Sequence, residues 1–359
     1  MVTVMVVPAD RGGCGHYRLI WPAQAVSAVR PDWEIAVMPT SAVRAGFNGD
    51  ALAHVDGFPD PLPDLLVCQR VGTAASYRIL QWAKSMGVAT VVDFDDAMWA
   101  IDRDNSAYGA WNSTLKDGRN PQDWRLCDSA AAEADLVTVT TEALARRYAR
   151  HGRVEVIPNA IPRAAVDLPK QDRGEEPFTA GWAGFTATHP GDVAVSAPAA
   201  RCVLGYGGRL RVVADAAGAA REWQVPEAAV DAVPPQRLGP DYYRSLSGMD
   251  LMLVGLRQTR FNNAKSTLKV LEAASQGVPS IAPDNPPHRA LARSGFPLSL
   301  AGSASEWHDH AEEHIRWHAK DPEDRANLVW AAVLSEHTIE GNAERWARAW
   351  ERAMARAGR

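Results

Sequence analysis

Short apolar runs separated by helical stretches recur along the 359-residue chain, and this alternation constrains the fold more than any other feature. Residues 2–7 form the first run, ended by Pro8 and the loop Asp10-Arg11-Gly12-Gly13-Cys14-Gly15. Further runs lie at 33–38, 65–69, 89–93, 136–140 and 154–157. Helical patterns lie between them at 16–29, 73–86, 123–134 and 141–150. Apolar strands that alternate with helices are buried on both faces, so the pattern predicts a parallel sheet with helices on each side. Between Pro158 and Pro177 the pattern stops, with Pro162 and Pro169 between them and a charged run from Lys170 to Glu176, as in an interdomain linker. It then restarts, with strands predicted at 179–183, 210–214, 228–233, 251–255, 279–282 and 297–300 and helices at 240–247, 264–276, 287–294 and after Ser303. The reading is α/β: two Rossmann-like doubly wound domains, 1–160 and 178–338, joined by a linker at 161–177. In such folds a ligand sits at the carboxyl ends of the strands, here in the cleft between the domains.

Composition narrows the class. With 46% hydrophobic and 23% charged residues, the chain is an ordinary globular protein and not a disordered one. A formal charge of −5 argues against nucleic acid as the favoured partner. Cys14, Cys68, Cys127 and Cys202 are scattered, without a CxxC pattern, and read as reduced thiols of a cytoplasmic protein. The amino terminus lacks a basic n-region, and no run approaches the ~18 apolar residues of a membrane span. Of the 38 basic residues only six are Lys, a bias that points to a GC-rich source such as an actinobacterium or its phage. The 13 Trp read as core or interface before they read as sugar platforms.

The stretch 250–282 carries the chemistry. Asp250-Leu-Met-Leu-Val-Gly-Leu256 is a strand, 257–263 a polar loop, 264–276 a helix closed by Gly277, and 278–282 the next strand. Asn262 or Asn263 is the expected helix cap. The first-turn N–H groups then face the cleft, where such an end binds phosphate. On that helix Lys265 and Lys269 fall one turn apart, and Glu272 about two turns from Lys265, where its carboxylate can accept two ribose hydroxyls. A solvated Lys/Glu face is the bland alternative. In a chain this poor in Lys, two on one turn favour a need for compact ammonium groups at an anion.

With its flanking strand and loop, Lys265-Ser-Thr-Leu-Lys-Val-Leu-Glu-Ala-Ala-Ser-Gln-Gly-Val-Pro-Ser-Ile-Ala282 resembles the donor-site helix of glycosyltransferase family 4, of GT-B fold, in an actinobacterial or phage-type branch. Ala134-Asp-Leu-Val-Thr-Val-Thr-Thr-Glu-Ala-Leu-Ala145, Val154-Glu-Val-Ile-Pro-Asn-Ala-Ile-Pro162, Gly181-Trp-Ala-Gly-Phe-Thr-Ala-Thr-His-Pro-Gly-Asp192 and the loop Gly12–Gly15 resemble further family stretches in the same order. Together they cover most of the chain. One departure is clear. The family's two glutamates are separated by seven residues, and where the first would fall this chain has Ala264, which leaves the donor sugar open.

The resemblance implies a retaining, metal-independent transferase that moves a sugar from a nucleotide-diphosphate sugar, such as a UDP- or GDP-sugar, with no cofactor. The acceptor class stays open among glycan, lipid, protein and modified DNA base. Attack comes from the face the leaving phosphate departs, and that phosphate helps to remove the acceptor proton. The implied donor site comprises Gly184, His189, Arg257, Lys265, Ser266, Thr267, Leu268, Lys269 and Glu272, with Lys265 and His189 as the catalytic candidates. Charge growing on the β-phosphate would be met by the helix terminus, Lys265 and Lys269. The acceptor side comprises Gly12, Gly13, Gly15, His16, Tyr17 and Arg18, with Arg70, Asp95 and Asp96. The final helix, 339–359, is expected to pack back on the amino-terminal domain.

Rival signals stand beside this reading. Asp93-Phe94-Asp95-Asp96 matches the Asp-x-Asp metal motif of the other major glycosyltransferase fold, but that fold does not predict the 264–276 helix. His310, His314 and His318, with His308 nearby, share a zinc-like spacing but lack the Glu of a zincin. Two Arg clusters, 146/147/150/153 and 345/348/352/356/359, suit packing first and a membrane surface or nucleic-acid backbone second. A nucleotide-sugar 2-epimerase and a non-catalytic binder on a degenerate scaffold are the alternative functions. The oligomeric state is open.

Overall fold

The computed structural model describes residues 1–48, 51–111, 123–149, 152–169 and 176–358. The amino-terminal half holds β1 (Val2–Val7), β2 (Trp33–Val37), β3 (Arg44–Asn48), β4 (Ala51–Asp56), β5 (Leu65–Gln69), β6 (Ala89–Phe94), β7 (Leu136–Val139) and β8 (Val154–Val156). Six of these form one parallel sheet in the order β2-β1-β5-β6-β7-β8. Every residue of β5, β6 and β7 is buried, as strands covered by helices on both faces must be. The antiparallel hairpin β3–β4 has no counterpart in the sequence reading, because its short segments carry no apolar run.

The carboxy-terminal half holds β9 (Thr179–Gly184), β10 (Arg209–Ala214), β11 (Val230–Val233), β12 (Leu251–Leu253), β13 (Ser280–Pro283) and β14 (Ser299–Ala301), all parallel in the order β11-β10-β9-β12-β13-β14. Two parallel six-stranded sheets flanked by helices make a two-domain Rossmann-like fold of the GT-B type. In this half the strand order reverses between β9 and β12, and in the other half between β1 and β5. These switch points open crevices at the strand carboxyl ends, and they hold the loops that carry polar residues.

The chain crosses between the halves twice, and the two crossings are stitched together. The Ile161 N–H donates to the His337 carbonyl at 2.8 Å, and the Ile339 N–H to the Ile161 carbonyl at 2.9 Å. Within the first crossing, Arg163–Val166 is a short helix whose Ala165 and Val166 are buried, and the Trp330 indole N–H donates to the Val166 carbonyl. The final helix, Ala343–Arg356, packs against the Trp21–Val29 helix and beneath β6 and β7. It buries Trp346 and Trp350, and Trp350 stacks on Trp33 at 6.4 Å.

The Arg clusters serve this packing. Arg345 donates to the Val156 carbonyl, Arg352 pairs with Glu155, and Arg30 clasps Glu344 and Glu351. Arg147 pairs with Asp128, and Arg153 donates to the Ala132 carbonyl. Arg150 and Arg359 lie outside the described residues. Trp182, Trp223, Trp307 and Trp350 are core residues. His310 and His314 tie the Ala304–His318 helix to β14 through the Leu300 carbonyl and the Ser299 hydroxyl. Among the described residues no helix is long and apolar enough to cross a membrane.

Candidate active site

A cleft of about 760 Å³ lies between the halves where the two switch points face each other. On the amino-terminal side its wall begins at the loop after β1. The Asp10 carboxylate accepts from the Gly12 and Gly15 N–H groups at 2.7 and 3.1 Å and curls the chain into a helix start. Gly15 is required there, because a Cβ would lie 1.9 Å from the Asp10 carbonyl oxygen. The helix then widens to a π-turn at His16–Ile20, an irregularity common at functional sites, before Trp21–Val29. Gly12, Gly13, His16 and Tyr17 line the cleft, and the His16 imidazole holds the Gly12 carbonyl at 2.8 Å.

Asp95 and Asp96 follow β6 and also line the cleft. Arg70 lies behind them in the left-handed region (φ 51°). Its guanidinium grips both Asp95 oxygens at 2.5 Å and lies 3.4 Å from Asp96. Burial raises the Asp95 carboxyl, but Arg70 outweighs it and holds the group below the usual range. The Cys14 thiol, 3.1 Å from Arg70, is pushed up by burial and by Asp95.

On the carboxy-terminal side, Lys265, Ser266, Leu268, Lys269 and Glu272 converge on the same cleft with His189. The expected helix over 264–276 is shorter, Leu268–Ser275. A tight turn at Asn262–Ala264 precedes it, and Lys265 is extended (φ −65°, ψ 152°). Asn262 does not cap the helix, because its amide donates to Asp192 at 2.7 Å. The cap position falls to Thr267, with no side-chain hydrogen bond. Lys265 therefore reaches the cleft from the loop, its ammonium 4.5 Å from the Phe261 ring centre.

Lys269 projects from the first helical turn. It lies 5.5 Å from the Trp182 ring centre and donates to the Ala183 carbonyl. Burial lowers its pKa, and Lys265 adds to this against the opposing pull of Glu272. Gly184 (φ 148°) does not line the cleft but makes room for this ammonium, since a Cβ would lie 2.9 Å from Trp182 and 3.2 Å from Lys269 Nζ.

The buried Glu272 carboxylate accepts from the Tyr17 hydroxyl at 2.7 Å and the Tyr242 hydroxyl at 2.8 Å, and Tyr243 donates to Tyr17 at 2.6 Å. Burial raises the Glu272 pKa, while Lys269 and the two tyrosine hydroxyls oppose the rise. His189 is driven down to about 4 by burial and is neutral, so its Nδ1–H donates to Asp192 at 3.1 Å and its Nε2 is an acceptor.

Of the expected site residues, Gly15, Arg70, Gly184, Arg257 and Thr267 do not line the cleft, and Arg18 lines it with most of its donors engaged. Arg18 is fully buried and four of its five N–H donors are engaged: bidentate on Asp93 at 3.0 and 2.7 Å, and on the Ile157 carbonyl and Asn159. It acts as a strut between the first helix and β6, and with it Asp93 is withdrawn from any Asp-x-Asp metal motif. Arg257 reaches Asp104 at 3.1 Å across the halves and does not line the cleft. Thr267 lines a second cavity of about 540 Å³ behind the cleft.

Sequence reasoning missed several contributors. Asp192 is the hub that gathers His189, Asn262 and the Arg257 N–H. Its place at the end of the Gly181–Asp192 stretch was the available signal. Tyr242, Asn159 and His288 also line the cleft, and the Asn159 amide donates to the Ser266 hydroxyl across the halves at 2.9 Å. Asn159 falls in the Val154–Pro162 stretch, which was the available signal, whereas nothing local marks Tyr242 and His288, because their surroundings are brought by the fold.

No protein-family model matches the chain, and no curated protein matches it. Solved structures do. HepE of Anabaena, in complex with UDP, is similar at 12% identity and TM-score 0.61 over 98% of this chain and all of that one. The catalytic domain of Arabidopsis thaliana starch synthase IV, bound to ADP and acarbose, matches at 11% identity and TM-score 0.64 over 99% of both chains. Sucrose-phosphate synthase of Thermosynechococcus elongatus matches at 14% identity and TM-score 0.60 over 99% of this chain and all of that one. At these identities the likeness is one of fold.

Proposed function

We propose that the chain is a retaining, metal-independent glycosyltransferase that takes a sugar from a nucleotide-diphosphate sugar held in the interdomain cleft. The observation that carries this reading is the convergence of Lys265, Lys269 and the start of the Leu268–Ser275 helix on one cleft wall, opposite the Gly12–Tyr17 loop. Two ammonium groups beside an uncapped helix end supply fixed positive potential where charge grows on a departing diphosphate. The similar structures include HepE with UDP-glucose, which supports a nucleotide sugar as the donor class.

In this reading the diphosphate lies against Lys265 and Lys269, and the ribose against Glu272. Tyr17 and Tyr242 occupy one lone pair on each Glu272 oxygen, and each oxygen keeps capacity for a ribose hydroxyl. The acceptor enters over Gly12–Tyr17 and Asp96. Asp93 and Asp95 are each neutralised by a guanidinium, so phosphate charge falls to the lysines and not to a metal on these carboxylates. Because His189 is neutral and its Nε2 has no partner among the described residues, it serves as an acceptor toward a sugar hydroxyl and not as a proton donor. The test is thermal-shift and calorimetric titration with UDP, ADP, GDP and their sugar esters. Specific stabilisation, followed by slow release of nucleoside diphosphate from the ester, is the expected result. The reading fails if no nucleotide binds, or if Lys265→Ala binds and turns over donor normally.

A further inference from the structure

The cleft that Lys265 and Lys269 line is also lined by His288, in the first turn of the Pro286–Arg293 helix that follows β13. It is 1% exposed. The Asn285 side chain caps this helix by accepting from the His288 N–H at 3.3 Å, and the same oxygen meets His288 Nδ1 at 2.6 Å. The backbone donor fixes which end of the Asn285 amide faces the histidine, even though Asn285 Nδ2 finds no partner among the described residues. An amide oxygen only accepts, so Nδ1 must carry the hydrogen. Burial drives the imidazole down to about 4, so Nε2 carries none. Its Nε2 has no protein partner among the described residues.

We infer that His288 Nε2 is a hydroxyl-binding point of the cleft, which accepts a hydrogen bond from the sugar carried by the nucleotide donor. This rests on the proposed donor site. The class of partner follows from the chemistry. An imine nitrogen repels phosphate oxygens and carbonyls, and it is satisfied only by an O–H or N–H donor. A nucleotide sugar brings hydroxyls beyond its diphosphate, and His288 belongs to the same half and the same cleft wall as Lys265 and Lys269. Ala264, on the turn before the donor helix, is buried against the amino-terminal half, its carbonyl accepting from the Thr141 hydroxyl at 2.9 Å, and it offers a sugar no polar side chain. A neutral acceptor at 288 supplies a sugar contact from a different element.

The test compares a nucleoside diphosphate with its glucose ester, using whichever of UDP, ADP and GDP binds best. His288→Leu should weaken the ester about tenfold and leave the bare diphosphate within about twofold, and His288→Gln, which keeps an acceptor, should restore most of the loss. A measurement on the unaltered protein guards against a variant that does not fold. Ring 15N NMR should identify the Nδ1–H tautomer of His288 and a shift of Nε2 on adding the ester but not the diphosphate. Equal loss for both ligands, no loss for either, an Nε2–H tautomer, or the same Nε2 shift with both overturns the inference and leaves the donor site standing. If no nucleoside diphosphate binds the unaltered protein, the donor site itself falls and the inference with it.

Discussion

The Tyr17 hydroxyl, on the first helix of the amino-terminal half, donates to Glu272 of the opposite half at 2.7 Å, across 255 residues of sequence. The bond is buried and closes the floor of the cleft, with Tyr243 and Tyr242 completing the network. Removing the hydroxyl leaves a buried carboxylate one donor short. Tyr17→Phe should therefore cost about 1–2 kcal/mol in denaturant unfolding. It should also raise the Glu272 pKa further. An unchanged midpoint would mean that the halves do not depend on this bond.

Lys269 makes nucleotide binding sensitive to alkaline pH. Burial lowers its pKa from the ordinary lysine value, and only its charged form attracts a diphosphate. Affinity for a nucleoside diphosphate should fall as pH rises through that lowered pKa, below the ~10.4 of a free lysine. Lys269→Arg should abolish this alkaline limb, and Lys269→Met should weaken binding at least about tenfold at neutral pH, roughly 1.4 kcal/mol. Calorimetric Kd values against pH decide it.

Gly184 controls the seat of the same ammonium. A methyl group there meets Trp182 at 2.9 Å in a backbone region that side chains avoid. Gly184→Ala should lose about 1–3 kcal/mol of stability and weaken diphosphate binding, although residue 184 does not line the cleft. Stability loss without any change in binding would separate Gly184 from the lysine.

Arg18 separates a structural from a substrate-binding role. Arg18→Met strands the buried Asp93, so a loss of about 3–5 kcal/mol is expected, with poor soluble yield. Arg18→Met combined with Asp93→Leu should recover most of that stability, because no charge is then left unpaired. A stably folded Arg18→Met protein with only acceptor affinity lost would make Arg18 a ligand contact and not a strut.

Three buried histidines set the acid limit of the fold. Burial holds His189 and His288 at about 4 and His314 at about 3, from 6.5 when exposed. Between these values the unfolded chain binds more protons than the folded one, so stability is full above pH 6.5 and lost as pH falls toward 4. Each pKa difference of one corresponds to about 1.4 kcal/mol, so the combined loss is on the order of several kcal/mol. Thermal unfolding at pH 7, 5.5 and 4.5 should give a falling Tm, and the fall should be smaller in His314→Gln. A flat profile over that range would contradict neutral burial of these rings.

The sequence by itself determined the two parallel sheets, their interruption near residue 160, and the cleft in which Lys265, Lys269 and Glu272 meet the Gly12–Gly15 loop. Those features rest on local pattern: apolar strands must be covered, and loops at the strand ends carry the polar residues. What the tertiary structure decided depends on partners far away in the chain. Asn262 is drawn to Asp192, so the helix begins at Leu268 and not four residues earlier. Arg18 is drawn to Asp93, and its guanidinium is engaged within the acceptor wall. Tyr17 reaches Glu272, and the Asn285 cap fixes the hydrogen on His288. A side chain's role follows from the donor or acceptor the fold sets beside it, and local periodicity carries no record of that neighbour.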